Sequence, residues 1–180
     1  SQRITHRKRL ADVADELEVL YRVSAALGEQ RGPMLFQLPP FLRKDLPRLL
    51  EFLGQLPEDP LAAVEFRHAS WLEDEVFEAL RAHGVALCVA DAGAETDAPL
   101  VATAPFGYLR LRRSCYPAAD LERWAGAVRA AGWEQAYVFF KHEDAGAGPA
   151  LAAQFRSLFE ARRPRRTGPA LARTGSGTAS

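Results

Sequence analysis

Five short apolar runs, each closed by turn-formers or polar residues, limit most strongly what this chain can fold into. They are Met34 to Leu38, Leu61 to Arg67, Val85 to Ala90, Gly107 to Arg112 and Gln135 to Phe140. Runs of this length bounded by Gly, Pro or polar clusters read as buried strands, as with Gly32-Pro33 before the first and Pro39-Pro40 after it. Between most of them the apolar residues take helical spacing. Leu46, Leu49, Leu50 and Leu53 form one stripe, with Asp45 as cap and Pro47 in the first turn. Val76, Phe77 and Leu80 form another, with Ser70 as cap and Glu73 at the capping-box spacing. Leu121, Trp124, Ala125 and Val128 precede a stop at Gly132, and Leu151, Phe155, Leu158 and Phe159 mark a last helix. Ahead of the first strand, Leu10, Val13, Ala14, Leu17, Leu20, Tyr21, Ser24 and Leu27 predict a helix ending at Gly28.

Strands alternating with helices mean βαβ units, hence an α/β fold with a parallel sheet covered by helices. An open doubly wound sheet that binds dinucleotides would carry GxGxxG after its first strand, and none is present. Polar residues instead recur at the carboxyl ends of the strands: Gln37, Glu65 with Arg67, Asp91, Arg110 with Arg112, and Lys141 with His142. That is the requirement of a (β/α)8 TIM-type barrel, where the loops after the strands converge on one mouth. Such a barrel takes about 250 residues, and five units in 180 residues cannot close it. The expected fold is therefore an incomplete TIM-type barrel over residues 1–162. Residues 163–180, rich in Arg, Pro, Gly, Ser and Thr and free of acids, read as a disordered tail. The opening at Ser1, on a helix-like segment, points to a processed or truncated product.

The formal net charge is zero, which writes no general attraction to nucleic acid into the chain. Arg3, His6, Arg7, Lys8 and Arg9 read as a solvated helix entry rather than a nucleic-acid arm. No apolar run approaches the roughly 20 residues that span a bilayer, and nothing resembles a signal peptide, so no membrane partner is expected. Cys88 and Cys115 lack CxxC spacing, and reduced thiols in a cytoplasmic protein are the default reading.

Strand alternation places Ala63, Glu65 and Arg67 on one face, and Tyr108, Arg110 and Arg112 likewise. The apolar residues between them should face the helices, leaving the charged set to the barrel interior or mouth, where Glu65 should pair with an arginine. The functional reading is a carboxylate for acid/base work beside guanidinium groups that hold an anion. The competing reading is a structural ion-pair network. His68 and His142 follow strand ends and, with Asp91, could bind a divalent metal, although no short ligand spacing supports it and a hydrogen-bonding loop histidine is the blander alternative. Gly146-Ala147-Gly148-Pro149 leads into the last helix, which reads either as an anion site at Ala145 to Gly148, helped by Lys141, or as an ordinary glycine-rich helix entry with Pro149 in the first turn. Trp71 could wall the pocket, and Gln37 could orient a substrate hydroxyl or only satisfy backbone groups.

Several of these elements together resemble a known family. Phe36-Gln37-Leu38-Pro39, Val64-Glu65-Phe66-Arg67-His68 with Ser70-Trp71, and Val89-Ala90-Asp91 resemble the YecE-like family, also called domain of unknown function 72. Tyr108-Leu109-Arg110 and Phe139-Phe140-Lys141-His142-Glu143-Asp144 are similar to its later strand ends, and the match runs from Ile4 to Glu160. The resemblance implies a TIM-type barrel loosely related to sugar-isomerase-like barrels, with no established reaction. It also implies opening strands, with a Gly-Trp-Tyr motif and then an Asn- and Phe-containing strand, that this sequence does not contain.

The leading expectation is an isomerase- or hydrolase-like enzyme for a small polar, anionic metabolite such as a sugar or phosphosugar. Glu65 would be the acid/base, Arg67, Arg110 and Lys141 would hold the anion, and Asp91 and His142 would assist or bind metal. Gln37, His68, Trp71, Gly146 and Gly148 would complete the substrate site. The alternatives are a nucleic-acid-processing barrel, motivated by arginines at the mouth and tail, and a non-catalytic remnant that self-associates through exposed strand edges.

Overall fold

A chain that feeds parallel strands one after another must return each time over the same face of the sheet, so helices collect on one side. The computed structural model describes residues 1–59, 61–93, 98–140 and 147–160. There the chain runs through α1 (Ala14–Ser24), β1 (Met34–Gln37), α2 (Leu46–Leu53), β2 (Ala62–Glu65), α3 (Asp74–Ala82) and β3 (Ala86–Asp91). It continues through β4 (Phe106–Leu111), α4 (Ala118–Ala130), β5 (Gln135–Phe140) and α5 (Ala147–Glu160). All four neighbouring strand pairs are parallel, and the sheet order β1-β2-β3-β4-β5 follows the chain. Sequential order is the order of a barrel wall. A doubly wound sheet reverses direction at a switch point. The wall is not closed: among the described residues β1 and β5 each pair on one side only. The tail reading for residues 163–180 lies outside the described residues.

Strand alternation divides the core. Phe36, Val64, Phe66 and Leu87 point to the helices and pack with Leu49, Phe52, Leu53, Val76 and Leu80. Val89, Leu109 and Leu111 continue that layer beneath Leu121, Ala125, Val128 and Phe155. The other face carries Ala63, Ala86, Cys88, Phe106 and Tyr108 as its buried part.

Several local expectations are corrected. The first helix begins at Ala14 rather than Leu10, because Arg9, Leu10 and Asp12 take positive φ and break the helical path. Leu10 and Val13 remain buried, since this irregular segment folds onto the core. The α-helix stops at Ser24, and a 3-10 segment, Ala25–Gln30, takes the chain past Gly28. Asp45 caps α2 as expected, its carboxylate accepting the Arg48 N–H at 3.2 Å. The buried stripe of α2 is Leu49, Phe52 and Leu53, while Leu50 is exposed. Ser70 does not cap α3, whose N-cap is Glu73. It lies in a separate 3-10 turn, Ala69–Trp71, where its hydroxyl accepts the Lys44 N–H at 2.9 Å and ties two strand-end loops together.

Gly107 marks the tightest contact in this layer. It lies in β4 beneath the Trp133 indole, and a Cβ there would stand 2.3 Å from a ring carbon. No side chain fits without moving that ring. Gly107→Ala should destabilise the chain by about 1–3 kcal/mol as overpacking, read from urea unfolding. An unchanged midpoint would show that Trp133 is free to swing aside.

Candidate functional site

Glu65 ends β2 on the face away from the helices and is 1% exposed. Gln37, its register partner at the end of β1, donates its amide to Glu65 Oε1 at 2.7 Å. Arg110, on β4, forms an ion pair with Oε2. The pair spans β3, which contributes only the small Ala86, Cys88 and Ala90 to this face, so the two long side chains meet above it. The Cys88 thiol lies 3.9 Å from Oε2. Arg112 brings a second guanidinium to 4.0 Å from Oε1. One carboxylate thus faces two guanidinium groups, and the cluster carries a net positive charge.

The electrostatics follow from this arrangement. Burial alone would weaken the charge on Arg110, but the hydrogen bond and charge of Glu65 more than offset it and hold the group above the ordinary arginine range. Burial, reinforced by the Glu65 carboxylate, pushes the Cys88 thiol up. Cys88 is therefore a neutral thiol and no nucleophile at ordinary pH. Beside it, burial pushes the Tyr108 phenol up to about 12.

Asp91 does not join this cluster. Its parity with Val89 and its register with Leu111 turn it to the helix side of the sheet. There its carboxylate accepts from Arg113 Nε at 3.0 Å, Trp124 Nε1 at 3.2 Å and the Gly93 N–H at 3.2 Å. Arg113 also binds Asp120 at 2.8 Å and lies 4.4 Å from the Tyr116 ring. The Asp91 carbonyl takes the Arg112 N–H at 2.7 Å, so this second cluster anchors the chain just where Arg112 leaves β4.

The remaining expected site residues divide. Arg67 is exposed beyond the end of β2 and outside the Glu65 cluster. His68 turns back on its own loop, its Nδ1 accepting the Ser70 N–H at 3.1 Å. Trp71 does not wall the pocket. It is buried on the helix side, stacked on Phe66 at 4.8 Å, and donates Nε1 to the Leu42 carbonyl at 2.8 Å. A loop that returns over the helical layer carries its large residues into that layer, whatever motif they adjoin. Gly148 lies in the first turn of α5. Lys141, His142 and Gly146 lie outside the described residues, as does Ala145, so only Ala147 and Gly148 of the expected anion-binding turn are described. Among the described residues no group of three His, Cys, Asp or Glu side chains could hold a metal, and Asp91 and His68 are not brought together. Arg112, which strand alternation places on this face but which was not among the residues assigned to substrate, belongs to the site, and so does Cys88, which the sequence reading left out. Strand parity with Ala90 was the signal that could have found Cys88.

With this geometry in view, comparison with known proteins is informative. The profile of a family described as "Protein of unknown function DUF72" matches residues 1–174. A crystal structure of a DUF72 family protein from Thermotoga maritima is similar at a TM-score of 0.70 and 24% identity, over 89% of this chain and 71% of that one. A DUF72 family protein from Enterococcus faecalis is similar at 0.68 and 15% identity, over 83% and 67%. A second crystal structure of the E. faecalis protein gives 0.61 and 13%, over 87% and 70%. At these identities the likeness concerns the fold. No curated protein matches the chain.

Alkaline pH should unsettle this face and the helical layer behind it, where Tyr21 packs. Tyr108 and Tyr21 are held near 12 when folded, mainly by burial, against about 10 in an unfolded chain. Cys88 is displaced the same way. A raised folded-state value gives stability that is complete below the unfolded value and lost as pH rises through the folded one. The melting temperature should therefore fall between pH 10 and 12, and Tyr108→Phe should flatten that fall. A fall of equal slope in the variant would assign the effect elsewhere.

Proposed function

The chain belongs to the DUF72 family of proteins of unknown function, and from that premise we propose that its Glu65 cluster binds a small anionic metabolite, of the sugar or phosphosugar class, for carboxylate acid/base chemistry. The observation that carries this reading is a charge imbalance among the described residues at the strand ends: Arg110 and Arg112 converge on the carboxylate of Glu65. Arg110 forms the ion pair with Glu65, whereas Arg112 stands 4.0 Å from that carboxylate, beyond hydrogen-bond range, and among the described residues no closer carboxylate holds its fork of donors. The cluster also lies at the carboxyl ends of parallel strands, where barrel enzymes carry their chemistry.

In this reading Gln37 and Arg110 hold the two oxygens of Glu65 in fixed directions. A substrate oxyanion draws Arg110 and Arg112 toward itself. As Arg110 turns to the substrate, Glu65 loses part of its counter-charge and becomes a buried carboxylate able to take a proton from a neighbouring carbon or hydroxyl. Isomerase-like proton transfer is the chemistry that one base and a paired anion clamp serve most directly.

A second reading rests on a different observation. Among the described residues β1 and β5 each pair on one side only, and parallel sheets are covered on both faces and seldom leave long edges free. The chain would then work as an associating module, completed by another polypeptide.

Two measurements bear on these readings. Glucose 6-phosphate titrated into the whole chain at low salt should bind, weaken as salt is raised, and lose about tenfold in affinity in Arg112→Ala, as expected for one charge-assisted contact. The melting temperature of that variant should stay close to the parent's. No binding of glucose 6-phosphate or inorganic phosphate at low salt would sink the anion reading. For the second reading, light scattering should give a mass above that of one chain, and a concentration-independent monomer would dismiss it.

A further inference from the structure

Beyond its charged groups, the site has an aromatic side. Phe139 on β5 is the register partner of Arg110 on β4, so the two stand next to each other on the face away from the helices. One step down the same strands, Tyr108 pairs with Tyr137, and below them Phe106 closes the floor edge-to-face with Tyr137 at 6.1 Å. Phe106 and Tyr108 are 3% and 7% exposed, whereas Phe139 is 47% exposed. Tyr108 covers one side of the Phe139 ring, with centroids 5.0 Å apart at 33°, and the exposure belongs to the rest of it. The face thus offers guanidinium groups at the rim and, beside them, an aromatic ring open to solvent.

An anion without a ring has no use for that surface. Inorganic phosphate or a short acyclic phosphate is satisfied by Arg112 and Arg110 and leaves Phe139 wet. A cyclic substrate buries one flat C–H or π face against the ring while its oxyanion reaches Arg110, the register partner of Phe139. We infer that the anion bound at the Glu65 cluster carries a ring, and that Phe139 is the platform on which the face of that ring lies. This rests on the anion-binding reading above and narrows it from phosphosugars in general to cyclic ones. Phe139 is then a specificity-determining residue, distinguishing cyclic from acyclic members of one charge class, while Arg112 reads the charge that both share.

The test compares three probes on the whole chain: inorganic phosphate, glycerol 3-phosphate and glucose 6-phosphate. Titration calorimetry should give glucose 6-phosphate an affinity about five- to tenfold above glycerol 3-phosphate, the usual worth of one stacked ring. Phe139→Leu, which keeps an apolar side chain and removes the ring, should abolish that preference and leave phosphate binding unchanged. Arg112→Ala should weaken all three probes by the same factor. Equal affinities for cyclic and acyclic probes, or a preference that survives Phe139→Leu, would overturn the ring inference while the anion reading stands. Failure of all three probes to bind would overturn both. A change in oligomeric mass in Phe139→Leu, with the probe ratio intact, would assign the exposed ring to association and also overturn the inference.

Discussion

Glu65 is a carboxylate with almost no access to water, and a charge in that position is tolerated only where other groups replace its hydration. Gln37 supplies a hydrogen bond from β1 and Arg110 a charge from β4, so three of the five strands depend on one side chain. The ion pair reaches across β3, and that reach is why β3 presents only Ala86, Cys88 and Ala90 on this face. A large residue at Ala90 would stand where the two side chains meet. Truncating Arg110 would take the close counter-charge from a buried carboxylate, which costs far more than the intact pair contributes, whereas Arg110 itself is partly exposed. The pair therefore acts as a registration device for the wall whatever else it does.

Two polar clusters stand back to back at the carboxyl ends of β3 and β4. On the outer side Asp91 gathers Arg113, Trp124 and the Gly93 amide. On the other side Glu65 faces Arg110 and Arg112. The consecutive arginines Arg112 and Arg113 serve opposite sides; the Asp91 carbonyl takes the Arg112 N–H just ahead of them, and the Tyr116 hydroxyl takes the Arg113 N–H between them. The outer cluster is satisfied internally, with Arg113 shared between two carboxylates and placed over Tyr116. The inner one carries surplus positive charge. That difference separates a structural network from a candidate binding site, although both contain the same residue types at the same level of the fold.

Much of this was legible in the linear chain. The five apolar runs became five strands in chain order, the Asp45 cap formed, and Gly132 took the positive φ of a helix stop. The pairing of Glu65 with an arginine followed from the cost of burying a lone charge. The grouping by sequence position misled at Asp91 and Trp71. Both adjoin strand ends that carry site residues, yet the parity of β3 sent Asp91 to the helical layer, and a short 3-10 turn folded Trp71 into it. The Ser70 cap failed for a similar reason, since Ser70 was taken up by a loop-to-loop hydrogen bond with Lys44 that no local spacing reveals.

The sequence by itself determined the element types, their order and the two faces of each strand, because these depend on periodicities of two and 3.6 residues within short segments. Tertiary structure decided which polar side chains meet. Glu65 and Arg110 are 45 residues apart in sequence. Their contact exists only because two parallel crossovers place their strands on either side of one narrow neighbour. Charge pairing of that range is a property of register and side-chain size across three strands, and no single segment of the chain contains it.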